Sequence, residues 1–170
     1  IRVAGTVEHA RALLDNGHSV AISVAFTETL TALRDALGGG LAPVPCALIH
    51  GQMSAAEREA ERLRFQRGEA RVVIFTVEEG ISLHAGEFGG APRSQIIHDL
   101  RWSAIQMAQI EGRCHRDGHF AQVYWTYADG TIEEKIARVV VARIGAMKEM
   151  IGDDAETLRQ IESVLLADGD

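Results

Sequence analysis

Short apolar runs alternate along this chain with longer stripes in which apolar residues recur every three or four positions. Runs at 19–24 (SVAISV), 47–49 (ALI), 72–75 (VVIF), 95–98 (QIIH) and 122–126 (QVYWT) are strand-length and predict buried strands. Between them, residues 27–37, 54–67, 103–115 and 131–151 carry a helical period. Three of these helices open on capping-box pairs: Ser54 with Glu57, Ser103 with Gln106, and Thr131 with Glu134. Gly38, Gly68 and Gly152 mark ends. Continuous apolar strands alternating with amphipathic helices predict an α/β fold, a parallel sheet with helices on both faces.

Two stretches interrupt the alternation. Residues 38–45 (GGGLAPVP) read as a mobile connector, and residues 86–93 (GEFGGAPR) as a Gly/Pro-rich loop, either at the ligand-binding carboxyl side of a strand or a tolerated surface insertion. After Gly152, residues 155–167 have a helical pattern, so the expected division is a domain over 1–152 and an appended helix over 153–170. The 170 residues suffice for one domain with its own core. No apolar stretch approaches the ~20 residues of a membrane span, and two cysteines, Cys46 and Cys114, make no disulfide framework. A reducing, cytoplasmic setting is the expectation. The chain opens at Ile1 with no signal-peptide pattern and reads as a piece of a longer polypeptide. Its net charge of −7 opposes bulk electrostatic attraction to nucleic acid.

Neither G-x-x-x-x-G-K-[ST] nor a G-x-G-x-x-G after a strand occurs, so the chain carries no phosphate cradle of its own. It does carry Gln109-Ile-Glu-Gly112-Arg113-Cys-His115-Arg116. On a helix, Arg113 and Arg116 would share a face. Two such guanidiniums suit a polyphosphate, which accepts bidentate bonds from the planar fork; two solvated surface arginines are the bland alternative. Arg58, Arg62, Arg64, Arg67 and Arg71 form a second basic cluster, but Glu57, Glu59, Glu61 and Glu69 nearly cancel it and predict a salt-bridged face. Cys114, His115 and His119 lack the fourth ligand of a closed zinc site, so no metal site is expected. Trp102 reads as an anchor for the helix that follows it, with base stacking as the alternative.

The pattern Q-x-x-G-R-x-x-R resembles the sixth motif of superfamily 2 helicases and translocases, in the C-terminal of their two RecA-like lobes. Residues 18–27 (HSVAISVAFT) resemble the fourth motif. His50-Gly51 with Arg58, followed by Phe65-x-x-Gly68, resembles the segment after it, and residues 72–83 (VVIFTVEEGISL) take the place of the fifth motif. His115-Arg116-x-Gly118 and the start of the helix at 131–136 are similar to the Swi/Snf branch. Residues 80–85 (GISLHA) and 102–104 (WSA) are similar to the Strawberry Notch helicase-like proteins. The run Val77-Glu78-Glu79 departs from the A-G-G type common in Swi/Snf relatives, placing two carboxylates where nucleic-acid phosphate is expected.

The resemblance implies a division of labour. ATP with Mg²⁺ would lie between two lobes, the metal held by an N-terminal lobe absent from this sequence. Arg113 and Arg116 would be arginine fingers, with Gln109, Gly112 and Gly80 beside the nucleotide. Gly51, Gln52 and Thr76 would touch nucleic acid, expected to be duplex DNA. The other implied role is a degenerate lobe serving as a protein-interaction scaffold.

Overall fold

The apolar runs form five parallel strands: β1 (Ser19–Ser23), β2 (Cys46–Ile49), β3 (Val72–Phe75), β4 (Arg93–Ile97) and β5 (Ala121–Trp125). Their order in the sheet is β2-β3-β1-β4-β5. The structure, a computed structural model, describes residues 2–76, 81–84, 88–114 and 121–151. Every residue of the three inner strands is buried, which is why β1 and β3 read as unbroken apolar runs. The helices are α1 (Arg2–Asp15), α2 (Thr27–Gly38), α3 (Ala55–Gln66), α4 (Ala104–Glu111) and α5 (Ile132–Ile151).

Strand order decides which face each connection covers. The step from β1 to β2 runs one way across the sheet, and the later steps all run back. Crossovers between parallel strands are right-handed, so reversing direction changes the face. Accordingly, Leu30, Leu33 and Leu37 of α2 pack on Val20, Ile22, Val72 and Ile74. Phe65 of α3, Ile81, Leu83, α4 and α5 pack on Ala21, Val73, Phe75 and Ile97 of the opposite face.

This arrangement leaves room beside α2, and α1 fills it with Ala10, Leu13 and Leu14. Helix α1 has no counterpart among the sequence expectations, since its buried stripe of Thr6, Ala10, Leu13 and Leu14 has only a polar and a small residue in its first half. It also pins the carboxyl edge. Arg2 pairs with Asp99 at 2.9 Å and with Glu133 of α5, and Thr6 Oγ1 lies 2.8 Å from His98 Nδ1. Arg11 donates to Leu37 O at the end of α2 and to Ala42 O in the connector, at 3.0 and 2.8 Å.

Further differences concern element ends. Strand β4 begins at Arg93, two residues before the apolar pattern starts, because Arg93, Ser94 and Gln95 are buried despite their polarity. Helix α4 stops at Glu111 rather than His115, with Gly112 as its C-cap. At α5, Glu134 accepts from Gly130 N at 3.2 Å, and Thr131 Oγ1 accepts from Glu133 N at 3.3 Å, a shifted version of the expected box. The appended helix and Gly152 lie outside the described residues. Among the described residues no helix is long and apolar enough to cross a membrane.

Burial pushes the His98 imidazole below its usual range, outweighing the attraction of Asp99. The folded chain therefore binds fewer protons at His98 than the unfolded chain does. The stability His98 contributes is complete above the unfolded value of about 6.5 and is lost as pH falls below it. Urea midpoints should accordingly fall between pH 7 and 5, and His98→Gln should flatten that fall. A decline of equal steepness in the variant would refute the assignment. The lowered carboxyls of Glu57, Glu59 and Glu134 lose their contribution only at still lower pH, through the usual carboxylate range.

Candidate functional site

Ile49 and Phe75 are register partners, so the chain leaves β2 and β3 side by side at the carboxyl edge. Gly51, Gln52 and Thr76 therefore come together there, the first two exposed and Thr76 half-buried. Thr76 N donates to Ile49 O at 2.9 Å, and Met53 N closes the Gly51–Gln52 turn on His50 O at 3.2 Å. The turn enters α3 through a full capping box, Ser54 N to Glu57 Oε2 at 2.8 Å and Glu57 N to Ser54 Oγ at 3.3 Å. These bonds from Ser54 hold the Glu57 carboxyl below its ordinary range. A Cβ built on Gly51 meets nothing within 4 Å, so no neighbour among the described residues forbids a side chain there.

The basic residues of α3 are largely paired, as their spacing predicts. Arg62 grips Glu59 with two bonds of 2.7 and 2.5 Å, and Arg64 holds both oxygens of Glu61 at 2.7 and 2.8 Å. Arg67 lies 5.5 Å from the centre of the Phe88 ring, and Arg71 donates to Leu14 O and His18 O.

Gln109, Gly112 and Arg113 lie elsewhere, because α4 runs from the carboxyl end of β4 towards the amino end of β5. Gln109 is half-buried on α4 and Gly112 is exposed. The backbone at Gly112 is ordinary right-handed helix, φ −68°. A Cβ there would make normal contacts, 3.5 Å to Ala108 O and 3.7 Å to Gln109 O. Arg113 is past the end of the helix, in a turn closed by Arg113 N on Ile110 O at 3.2 Å. The expectation that it shares a helical face with Arg116 is thus corrected on the Arg113 side, since the helical period ends at the cap.

Arg113 is held by the segment that follows the fifth motif. Its Nη1 donates to Ile81 O at 3.1 Å, and its carbonyl accepts from Leu83 N at 2.7 Å. The sixth motif is therefore joined to the residues next to Gly80. Gly80, Arg116, residues 77–79, His115 and His119 lie outside the described residues. Cys114 is fully enclosed in the core, and burial pushes its thiol up to about 12, a poor starting point for a thiolate ligand.

The residues that organise this joint were not foreseen. Gln66, 5% exposed, donates from Nε2 to Ser82 O and His84 O at 3.3 and 3.2 Å. Arg93, 3% exposed, stacks 4.6 Å from the Phe65 ring centre and donates to Gln66 O at 3.3 Å. Their only sequence signal is polarity inside the F-x-x-G stretch and at a strand start. Trp102 is 53% exposed rather than packed, at the rim of a cavity of about 500 Å³ that Phe26, Arg101 and Arg143 also line. Ser103 acts as the cap, accepting from Gln106 N at 3.2 Å.

A five-stranded parallel sheet in this order, with motif segments at its carboxyl edge and at the end of α4, defines a RecA-like helicase C-terminal lobe. The sequence pattern of the helicase conserved C-terminal domain matches residues 5–118, and the chain belongs to that family. Among solved structures, the C-terminal part of the Fun30 ATPase domain superposes with a TM-score of 0.70 at 20% identity, covering 82% of this chain and 44% of that one. The Sulfolobus solfataricus SWI2/SNF2 ATPase core in complex with dsDNA gives 0.66 at 23%, covering 93% of this chain and 33% of that one. The C-terminal domain of the DEAD-box protein Dbp5 gives 0.63 at 17%, covering 85% of this chain and 79% of that one. This chain thus spans less than half the length of the first two. No curated protein sequence matches it.

Proposed function

We propose that this chain is the second motor lobe of an ATP-dependent DNA translocase of the Swi/Snf type, working with an N-terminal lobe on the same parent polypeptide. The observation that carries this reading is the joint between Arg113 and residues 81–83, since a motor must link its nucleotide-facing arginines to the strand that contacts nucleic acid. Arg113 and Arg116 would face the γ-phosphate of ATP, with Gln109, Gly112 and Gly80 beside it. A half-buried guanidinium next to the open surface of Gly112 suits a polyphosphate. Mg²⁺ would be held by the N-terminal lobe. When bound, the nucleotide supplies the phosphoanhydride that is cleaved. The residues of this chain orient it and offset charge as that charge develops. Gly51, Gln52 and Thr76 would line the path of a duplex DNA backbone.

The glycines support this reading. Nothing among the described residues requires glycine at Gly51 or Gly112, yet both are exposed where an outside surface would have to approach closely. Gly112→Val should therefore leave the chain folded, within ~1 kcal/mol of the original, because its backbone is helical and its Cβ has room. The same change should lower ATP turnover of the parent polypeptide at least tenfold. Unchanged turnover would show that nothing docks at this cap.

The scaffold reading draws on one observation: Arg62 and Arg64 are already paired with Glu59 and Glu61, which removes two cations from any DNA-binding face. Comparing phosphate release from the parent polypeptide with and without duplex DNA separates the two. Stimulation by DNA favours the motor. Turnover indifferent to DNA favours the scaffold.

A further inference from the structure

Residues 81–84 have no regular secondary structure, yet their main chain is bonded at every residue. Arg113 takes Ile81 O, Gln66 takes Ser82 O and His84 O, and Leu83 N donates back to Arg113 O. The side chains of Ile81 and Leu83 are buried in the core below. Three of these four bonds to the segment come from side chains distant in sequence, two of them from the single amide of Gln66.

That amide has little freedom. Its Oε1 accepts from Arg62 Nη1 at 2.7 Å, and Arg62 is itself gripped by Glu59 through two bonds. The main-chain carbonyl of Gln66 accepts from buried Arg93, which fixes the residue that carries the amide. With donor and acceptor ends both committed, the amide cannot flip without breaking bonds inside the core.

Gln66 is also the last residue of α3, whose first turn is capped to the Gly51–Gln52 turn by Ser54 and Glu57. A helix of 12 residues is a rod of about 18 Å, stiff on the scale of such movements. One end meets the proposed DNA path, and the other holds the exit of the fifth motif.

We propose that Gln66 is a positioning residue that carries movement of the β2–α3 turn to the 81–84 segment and through it to Arg113. The proposal rests on the motor reading above. It assigns the coupling of nucleic-acid contact to nucleotide turnover to a side chain that would touch neither ligand.

Gln66→Met keeps the length of the side chain and removes both donors. In the parent polypeptide the ratio of DNA-stimulated to basal ATP turnover should fall at least tenfold, with basal turnover and the DNA concentration for half-stimulation within about twofold. Arg64→Ala is the control, since Arg64 pairs with Glu61 and, among the described residues, bonds neither Gln66 nor residues 81–84. It should leave the ratio intact. Basal and stimulated turnover falling together in Gln66→Met would mean that Gln66 is merely structural and would overturn the proposal. A second readout is hydrogen exchange at the Leu83 amide of the 170-residue chain. Exchange should quicken at least tenfold in Gln66→Met while the central turns of α3 keep their protection. Unchanged Leu83 protection would show that no clamp exists. If the unsubstituted parent polypeptide is not stimulated by DNA, the motor reading fails and the coupling with it, whereas the exchange result still decides the clamp on its own.

Discussion

Replacing Arg116 with Ala in the parent polypeptide should lower DNA-stimulated ATP turnover by ~10³–10⁵-fold, the range found for arginine fingers in phosphoryl transfer. That corresponds to about 4–7 kcal/mol of barrier. Arg113→Ala should be comparably severe for a compound reason. It removes a cation from the proposed nucleotide face, and it also removes the bond to Ile81 O that fixes the exit of the fifth motif. Arg113→Ala should therefore also register in a stability measurement. Loss of the charged hydrogen bond of Arg113 costs the isolated chain ~1–3 kcal/mol. Arg113→Lys restores the charge but not the planar fork, so it should recover little turnover. Phosphate release and urea unfolding on the same variants check both halves. Turnover indifferent to both arginines would leave the scaffold reading standing.

Legibility in the sequence followed the physics of each element. Strands β1 and β3 were plain because both of their faces are covered and every position is apolar or small. The motif residues were visible as a pattern, and the family match over 5–118 agrees with that order. Helix α1 was not visible, because Thr6 and Ala10 hold positions that larger apolar residues would have marked. The shared helical face of Arg113 and Arg116 assumed a period that ends at Gly112, where α4 gives way to a turn. The clamp on residues 81–84 left no local trace. It bonds main-chain carbonyls to side chains 16 to 32 positions away, and backbone acceptors carry no residue identity to read. Arg93 escaped for the opposite reason. A charge at a strand start reads as exposed, whereas here a ring and two carbonyls receive it.

That burial of Arg93 sets the second large effect. Phe65 is fully buried, shares the core on the α4 face with Ile81 and Leu83, and carries the guanidinium on its ring at 4.6 Å. Desolvation pushes the Arg93 guanidinium below its ordinary range, the mark of a cation held out of water. Phe65→Ala should cost ~3–5 kcal/mol from lost burial and the cavity left behind. This is a large share of the ~5–15 kcal/mol that holds a typical domain together. Part of the cost belongs to the charge rather than to the volume. Arg93→Met fills the site without a cation, and in that background Phe65→Ala should cost less by about 2 kcal/mol, the size of a desolvated cation–π contact. The two residues touch, so a double-mutant cycle on urea unfolding of the isolated chain isolates the term. Additive costs would show that the ring merely fills space and that the carbonyls of Ala91 and Gln66 hold the guanidinium by themselves.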